Sequence, residues 1–225
     1  MCCLLTVAQS ETLRGDATAP SSDGTRQFQW QVTRCVHSLR SEWRNGDGVL
    51  VAWDQVGLGS LGLERYELAR PSVQRQVLVI RRGAVLEIWS YGPQGEDVQR
   101  LTRTPGTSLL AGPMLVAYVK EQLPLLRGGA AMVVDYLIPE RAMVIALRLQ
   151  GRAITADGRS RIDVAPASAW LRPFVAAAEL EFDGAGRFLR MQGRLLPQAG
   201  SVRHPLALEG ELRTRSWSPT SSCNT

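Results

Sequence analysis

Residues 111–150 read AGPMLVAYVKEQLPLLRGGAAMVVDYLIPERAMVIALRLQ, and this stretch decides the fold. Its first part has apolar residues three and four positions apart, which predicts an amphipathic helix over residues 112–123. Pro124 disfavours helical geometry at the residue before it, so the helix is expected to end there. A Gly-Gly pair at 128–129 then redirects the chain. Apolar residues alternate on both sides of Pro139, which predicts two paired strands.

The same strand-like alternation continues outward in both directions. Upstream, Asn45-Gly46 and Gly83 separate alternating apolar runs, which predicts hairpins over residues 39–53 and 76–91. Further strands are predicted at residues 27–33, 161–165, 177–182, 188–195 and 206–213, with a short helix at 166–175. About ten strands joined mostly by hairpins predict a mainly β (α+β) fold, either a strongly curved antiparallel sheet or an open barrel. The helix at 112–123 is expected against the concave side of the sheet or over its mouth, because it must bury its apolar stripe.

One β-rich domain is expected over residues 26–215. Residues 1–8, MCCLLTVA, resemble the end of a secretory signal peptide, although they lack a charged n-region. We therefore expect residues 1–25 to be a signal-like remnant and a disordered arm, and residues 216–225 to be a polar tail. A periplasmic or otherwise exported location is favoured, with a cytoplasmic location as the alternative.

Composition excludes several classes of protein. The chain has 225 residues, 44% of them apolar, and no apolar run long enough for a transmembrane helix. Its net charge is +5, but the arginines are spread along the whole chain rather than clustered, which argues against a nucleic-acid footprint. Cys2, Cys3, Cys35 and Cys223 lack zinc-site spacing, so no metal or cofactor is predicted. Cys35 and Cys223 either pair in an oxidising compartment or remain free thiols.

The candidate ligand-binding side chains are aromatic or polar and are placed along the predicted cavity or its rim. They are Trp53, Trp89, Tyr91, Tyr118, Asp135, Tyr136, Arg141 and Trp170. Aromatic rings that line a cavity offer a large contact area to an apolar ligand, and ordinary core packing is the alternative. Asp135 lies among apolar neighbours, so that Arg141 or Arg148 would have to pair with it if it is buried. A solvent-facing Asp135 is the other interpretation.

Catalytic signals are weak in this sequence. His37 and His204 lie outside any recognisable nucleophile motif. The glycine-rich residues 57–62 lack the Lys-Ser/Thr ending of a phosphate loop and are expected to form a turn. No catalytic residue is assigned. An enzyme would need at least two of Asp135, Glu140, Arg141 and His204 within hydrogen-bond reach at the cavity mouth.

One set of residues lies mostly in the turns and at the ends of the predicted helices and strands. They are Gly112, Pro113, Leu126, Gly128, Ile138, Pro139, Glu140, Arg141, Pro166, Ser168, Leu171, Val175, Phe182, Asp183, Arg187, Leu189 and Gly193. Over roughly residues 30–195 this set resembles an uncharacterised group of proteobacterial exported β-rich proteins. In architecture alone the layout is similar to lipoprotein-carrier-like envelope proteins, in which a curved antiparallel sheet holds helices and a hydrophobic cavity. The resemblance implies binding of an acyl chain or another apolar ligand.

The favoured hypothesis is a non-catalytic envelope protein that binds a lipid or acyl chain in the concavity of the sheet. It predicts a cavity of several hundred Å³ lined by Trp, Leu, Val and Met. Its expected partners are an apolar small molecule or lipid, with peripheral contact to a membrane or another envelope protein, and no nucleic acid. An enzyme of unfamiliar type is one alternative. A structural or assembly protein of the envelope, with an exposed apolar patch outside any cavity, is the other.

Overall fold

The computed structural model describes residues 10–21, 24–60, 62–102, 108–152, 154–173, 175–200 and 205–219. Within these residues the chain forms a fifteen-stranded sheet, one α-helix and three 3-10 turns. The fold is therefore mainly β, as predicted. None of the described helical segments is long and apolar enough to cross a membrane.

The strands follow one another along the chain with few interruptions. They are β1 (Glu11–Ser21), β2 (Gly24–Arg34), β3 (Ser38–Asn45), β4 (Leu50–Gly59), β5 (Gly62–Arg70), β6 (Arg75–Arg82), β7 (Val85–Gly92), β8 (Gly95–Thr102), β9 (Leu109–Leu110), β10 (Ala131–Ile138), β11 (Met143–Gly151), β12 (Ser160–Pro166), β13 (Ala178–Phe182), β14 (Phe188–Gly200) and β15 (Pro205–Pro219). Their order in the sheet is β8-β7-β6-β5-β4-β3-β2-β1-β15-β14-β13-β12-β11-β10-β9. Every pair is antiparallel except β9 with β10.

Local sequence explains the hairpins that were predicted. In β2, Phe28, Trp30 and Val32 are buried and alternate with polar residues, as a two-residue period requires. The turn between β3 and β4 is closed by Asn45, whose side-chain oxygen accepts hydrogen bonds from the backbone N–H of Asp47 at 3.1 Å and of Val49 at 2.9 Å. The hairpins predicted at 39–53 and 76–91 are confirmed as β3–β4 and β6–β7.

The sheet curls on itself but stays open. β4 contacts β14 and β5 contacts β9, although these strands are far apart in the sheet order. The two edges, β8 and β9, do not pair with each other. Apolar side chains from the N-terminal and C-terminal halves of the sheet meet on the inner face. There the Phe188 ring lies 6.1 Å from the Trp30 ring and 5.6 Å from the Phe182 ring. The inner face thus forms one continuous core.

Helix α1 (Met114–Arg127) lies on this inner face. The buried residues of the helix are Met114, Val119, Leu123 and Leu126, and they belong to the same core as the inward-facing strand residues. The prediction that the helix ends at residue 123 was wrong, since it continues through Pro124. Tertiary contacts outweigh the local cost of the proline. Leu126 is fully buried, and Arg127 donates hydrogen bonds to the Ser160 hydroxyl at 2.7 Å and the Asp183 carbonyl at 2.6 Å.

The predicted strand count was too low. Strands β1, β5, β8 and β9 were not predicted, and β1 falls in residues 1–25, which were expected to include a disordered arm. β1 pairs along its length with β2 and along part of it with β15. The inward positions of β1 hold Leu13, Gly15, Ala17 and Ala19. Three of these four residues are small, so the strand shows no clear alternation of large apolar and polar residues. β8 is almost wholly exposed and has no apolar pattern to reveal it.

Two further predictions need correction near the C-terminal half. The short helix predicted at 166–175 is wrong, because Pro166 ends β12 and, among the described residues of this range, only Ala169–Leu171 forms a single 3-10 turn. Residues 216–219, which were predicted to belong to a polar tail, are part of β15, and the rest of the predicted tail lies outside the described residues. Cys35 is disulfide-bonded. Cys223, the partner considered from the sequence, lies outside the described residues, as do Cys2, Cys3 and His204.

Candidate functional site

A pocket of about 270 Å³ lies between α1 and the inner face of the sheet. Strands β1 to β5 supply one wall, β10 to β15 supply the other, and α1 covers it. The wall is mostly apolar and includes Leu13, Trp30, Trp43, Leu68, Val116, Ala117, Leu137, Leu147, Phe188 and Leu212. Inward-facing strand positions and one helix stripe therefore converge on a single concave space.

One end of the pocket is polar, and we call it the polar pole, formed by Ser41, Asp54, Tyr66, Arg70, Tyr136 and Glu140. Its centre is the Asp54 carboxylate on β4, which is 2% exposed. Ser41, directly opposite on β3, donates its hydroxyl hydrogen bond to Asp54 Oδ1, and Tyr66 on β5 donates to Asp54 Oδ2 at 3.1 Å. The Trp43 Nε1–H donates to Ser41 Oγ at 3.2 Å. A chain of hydrogen bonds thus fixes the carboxylate.

An ion pair forms the second part of the polar pole. Arg70, at the end of β5, lies 2.6 Å from a carboxylate oxygen of Glu140, in the 3-10 turn Pro139–Arg141 that follows β10. Both side chains are largely buried, with 4% and 18% of their surface exposed. Because these residues come from opposite halves of the curled sheet, their pairing depends on the closure between the halves.

The titration of these groups follows from burial. Burial raises the pKa of Asp54 to about 6, although hydrogen bonds from Ser41 and Tyr66 partly oppose this shift. Burial, and then the Asp54 charge, raise the pKa of Tyr66 well above its usual range. Burial is the largest single influence on Glu140 and raises its pKa, but the charge and hydrogen bond of Arg70, a backbone hydrogen bond and the Arg194 charge together outweigh it, and the pKa is lowered. Near neutral pH, Asp54 is therefore the group of the polar pole poised to change its protonation.

Gly112 allows the chain to enter α1 beside this carboxylate. Its φ is +47°, and a methyl group at this position would overlap Asp54 Oδ2 and lie 2.9 Å from Tyr66 Cε2. Its backbone N–H hydrogen-bonds the hydroxyl of Tyr136. Burial, and then the charges of Asp54 and Glu140, raise the pKa of Tyr136, so that its hydroxyl keeps its proton. Gly112 therefore lies between the acceptor Asp54 and the hydroxyl of Tyr136.

Basic side chains surround the mouth of the pocket. Arg141 and Arg194 line it and are exposed. Across the pocket, Lys120 of α1 lies 3.1 Å from a Glu11 carboxylate oxygen, and its ammonium lies 4.6 Å from the Trp217 ring centroid. These contacts attach α1 to the β1 and β15 strands by polar groups near the surface.

Comparison with known proteins supports the fold. No family model and no curated protein matches the sequence. The structure is similar to a β-barrel-like protein of the domain of unknown function DUF1849 from Brucella abortus, with a TM-score of 0.54, 9% sequence identity, and coverage of 95% of this chain and 98% of that chain. A putative outer membrane lipoprotein-sorting protein domain from Vibrio parahaemolyticus matches with a TM-score of 0.26, 8% identity, and coverage of 96% and 87% of the two chains. The first likeness shows a shared β-barrel-like fold, and the second is too weak to support an argument.

Two of the predicted ligand-binding residues, Tyr136 and Arg141, line the pocket. The other six lie outside its lining, and they are Trp53, Trp89, Tyr91, Tyr118, Asp135 and Trp170. Strand parity explains several of these placements, because neighbours on a strand face opposite sides. Trp53 precedes the inward-facing Asp54 and stacks with Arg40 at 4.9 Å instead.

Trp89 and Tyr91 lie on β7, which is outside the strands that form the two walls of the pocket. Ile88, in phase with Leu86, is buried on β7, whereas Tyr91 is 39% exposed. Asp135, on β10, does not line the pocket although its neighbour Tyr136 does. Trp170 is 69% exposed, as expected from the single 3-10 turn that carries it.

The sequence analysis did not select Asp54, the centre of the polar pole, although the residue pattern of β4 indicates that it faces inward. Asp54 is in phase with the apolar residues Ala52 and Val56, so β4 carries an acid at an inward position. Tyr66 and Arg70 share the inward phase of β5 in the same way. Polar residues in phase with apolar ones mark a buried polar site, but β5 itself was not predicted.

The structure places two of the four residues proposed for an enzyme in the pocket lining. Glu140 and Arg141 both line the pocket, but the Glu140 carboxylate is paired with Arg70. Asp135 lies outside the lining, and His204 lies outside the described residues. Within the described part of the chain, no group of three His, Cys, Asp or Glu side chains is placed to hold a metal ion.

Proposed function

We propose that this protein binds one apolar ligand, a lipid or an acyl chain, in the pocket beneath α1, without catalysing a reaction. The observation that carries the proposal is an apolar pocket of about 270 Å³ that is set in the inner face of a curled sheet and covered by a helix. Ligand pockets in proteins are typically concave, mostly apolar and equipped with a few polar groups, and this pocket has all three properties.

The attachment of α1 is compatible with ligand entry. Near the surface, α1 is connected to the sheet by the Lys120–Glu11 pair and by the Arg34–Glu121 pair at 2.8 Å. Partly exposed ion pairs of this kind contribute only about 0–1 kcal/mol each. A displacement of the helix near these pairs would therefore lose little ion-pair energy, and its main cost would be exposure of the buried Met114 and Val119, while the C-terminal end remains held by Arg127.

Export to the periplasm or beyond is part of the proposal. Its support is the disulfide bond of Cys35, because disulfides persist mainly in oxidising compartments. In such a location, a membrane or another envelope protein would deliver and receive the ligand.

Quenching of tryptophan fluorescence provides a direct test. The rings of Trp30 and Trp43 lie 6.2 Å apart, and both residues line the pocket. A long-chain lipid brominated on its acyl chain should quench their emission saturably and with one-to-one stoichiometry. Mass spectrometry under non-denaturing conditions should then show one added ligand mass.

A pair of matched helix variants separates the pocket from nonspecific binding. Ala117→Phe adds bulk on the pocket side of α1, whereas Leu125→Phe changes a residue that is 56% exposed and outside the pocket lining. We expect Ala117→Phe to weaken saturable quenching about tenfold or more and Leu125→Phe to leave it unchanged. Equal effects of the two variants, or no saturable quenching in the wild type, would exclude the pocket as the binding site.

A further inference from the structure

We infer that the ligand carries a neutral head group with a hydroxyl, and that the polar pole holds this head group while selecting against free carboxylates. This inference rests on the proposed function and adds the chemical class of the ligand. It is carried by the arrangement of donors, acceptors and charges around Gly112.

The polar pole offers one acceptor and one donor to a ligand. Asp54 accepts one hydrogen bond from Ser41 and one from Tyr66, but a carboxylate has about four acceptor positions. The Tyr136 hydroxyl accepts the Gly112 N–H, and its own proton can be donated. A hydroxyl group both donates and accepts, so an alcohol suits a pole that offers one acceptor and one donor.

The charges of the polar pole oppose an anionic head group. Within the pole, the carboxylates of Asp54 and Glu140 are accompanied by one guanidinium, on Arg70, which is bound to Glu140 at 2.6 Å. The exposed Arg194 adds a positive charge that acts on Glu140 and Tyr136 from the pocket lining. A ligand carboxylate within the pole would lie beside Asp54, while Arg70 is already bound to Glu140 and the Arg194 guanidinium is exposed to water. Like charges in such a buried setting repel strongly.

The burial of the polar pole strengthens the discrimination. Ser41, Asp54 and Arg70 are each 2–3% exposed, so a ligand with the wrong head group would leave polar atoms without water to compensate them. Sites built to hydrogen-bond a hydroxyl reject analogues that lack it by large factors. The competing arrangement is an anionic head group at the exposed Arg141 and Arg194, with the tail inside.

The test compares three brominated ligands of equal chain length, using the quenching assay at neutral pH. They are a fatty alcohol, the corresponding fatty acid and the alkane without a head group. We expect the alcohol to bind at least about tenfold more tightly than the acid, with the alkane weaker than the alcohol. A brominated monoacylglycerol determines whether the hydroxyl is accepted from a glycerolipid or only from a simple alcohol.

Variants locate the head group. Tyr136→Phe keeps the ring and should weaken alcohol binding about three- to tenfold while leaving the alkane unchanged. Tyr118→Phe is the matched control, because Tyr118 is half-buried on α1 and outside the pocket lining. Thermal unfolding confirms that each variant is folded, and the wild-type comparison of ligands remains decisive if one is not.

Three outcomes have distinct meanings. Acid binding that equals or exceeds alcohol binding would overturn the inference, and its loss in Arg194→Gln would place an anionic head group at the mouth. Binding of all three ligands without preference would also overturn it and leave the apolar pocket intact. Failure of every ligand to bind would instead refute the proposed function.

Discussion

Replacement of Asp54 by asparagine should change how stability depends on pH. Burial raises the pKa of Asp54 from its ordinary value of 3.8 to about 6 in the folded protein. The folded state therefore favours the protonated carboxyl. Its contribution to stability is fully present below the unfolded-state value and is lost as the pH rises through the folded-state value.

The magnitude follows from the size of this shift. From 3.8 to about 6 the shift amounts to roughly 3 kcal/mol of stability across the full titration. Between about pH 4.5 and about pH 7 the wild type should lose about 2 kcal/mol through Asp54. Asparagine does not titrate, so Asp54→Asn lacks this loss. The free-energy difference between wild type and variant should change by the same amount in favour of the variant.

Urea unfolding over this pH range measures the difference directly. Other titrating groups affect both proteins equally, and so they cancel in the comparison. The matched control is Asp97→Asn, which removes an exposed carboxylate on β8 and should follow the wild-type curve. Parallel curves of unfolding free energy against pH for wild type and Asp54→Asn would refute the argument that burial destabilises the ionised Asp54 carboxylate. A change of the opposite sign would refute it as well.

Two other substitutions probe the contacts that frame the pocket. Arg70→Met leaves the buried Glu140 carboxylate without its cation and should lower the free energy of unfolding by about 3–5 kcal/mol. The control Arg82→Met removes a residue whose side chain is 69% exposed and should cost less than about 1 kcal/mol in urea unfolding; similar losses in both would contradict the burial argument. Arg127→Gln removes the hydrogen bond to the Asp183 carbonyl and should speed amide hydrogen exchange in the last turns of α1. Unchanged exchange there would show that apolar packing alone holds the helix end.

Local patterns in the sequence predicted local structure well. The turn at Asn45 and the alternating runs around it carry their own signals, and the structure has the hairpin there. Strand β1 was missed because Ala17 and Ala19 fill its inward positions where larger apolar residues would have been noticed. The end of α1 was misplaced because the cost of Pro124 is local, whereas the contacts of Arg127 that outweigh it are distant in sequence.

The candidate site shows the same division between local and distant information. The inward phase of Asp54 can be read from β4 alone, since Ala52 and Val56 share it. The pairing of Arg70 with Glu140 cannot, because it depends on how far the sheet curls before its two halves meet. Periodicity predicts which face a residue occupies but contains no information on that curvature.

The polar pole lies where the two halves of the sheet meet, and stability alone does not explain charged residues at this position. Arg70 and Glu140 bring the β5 end and the turn after β10 together. For stability alone, well-packed apolar residues at such positions often do as well as or better than a buried ion pair. Asp54 is more unusual, because no cation of the described residues forms an ion pair with it and its ionised form destabilises the fold near neutral pH. Carboxylates held in this way concentrate at functional sites. A hydrogen bond donated by a bound hydroxyl would stabilise the ionised form, so ligand binding would offset a cost that the fold alone does not.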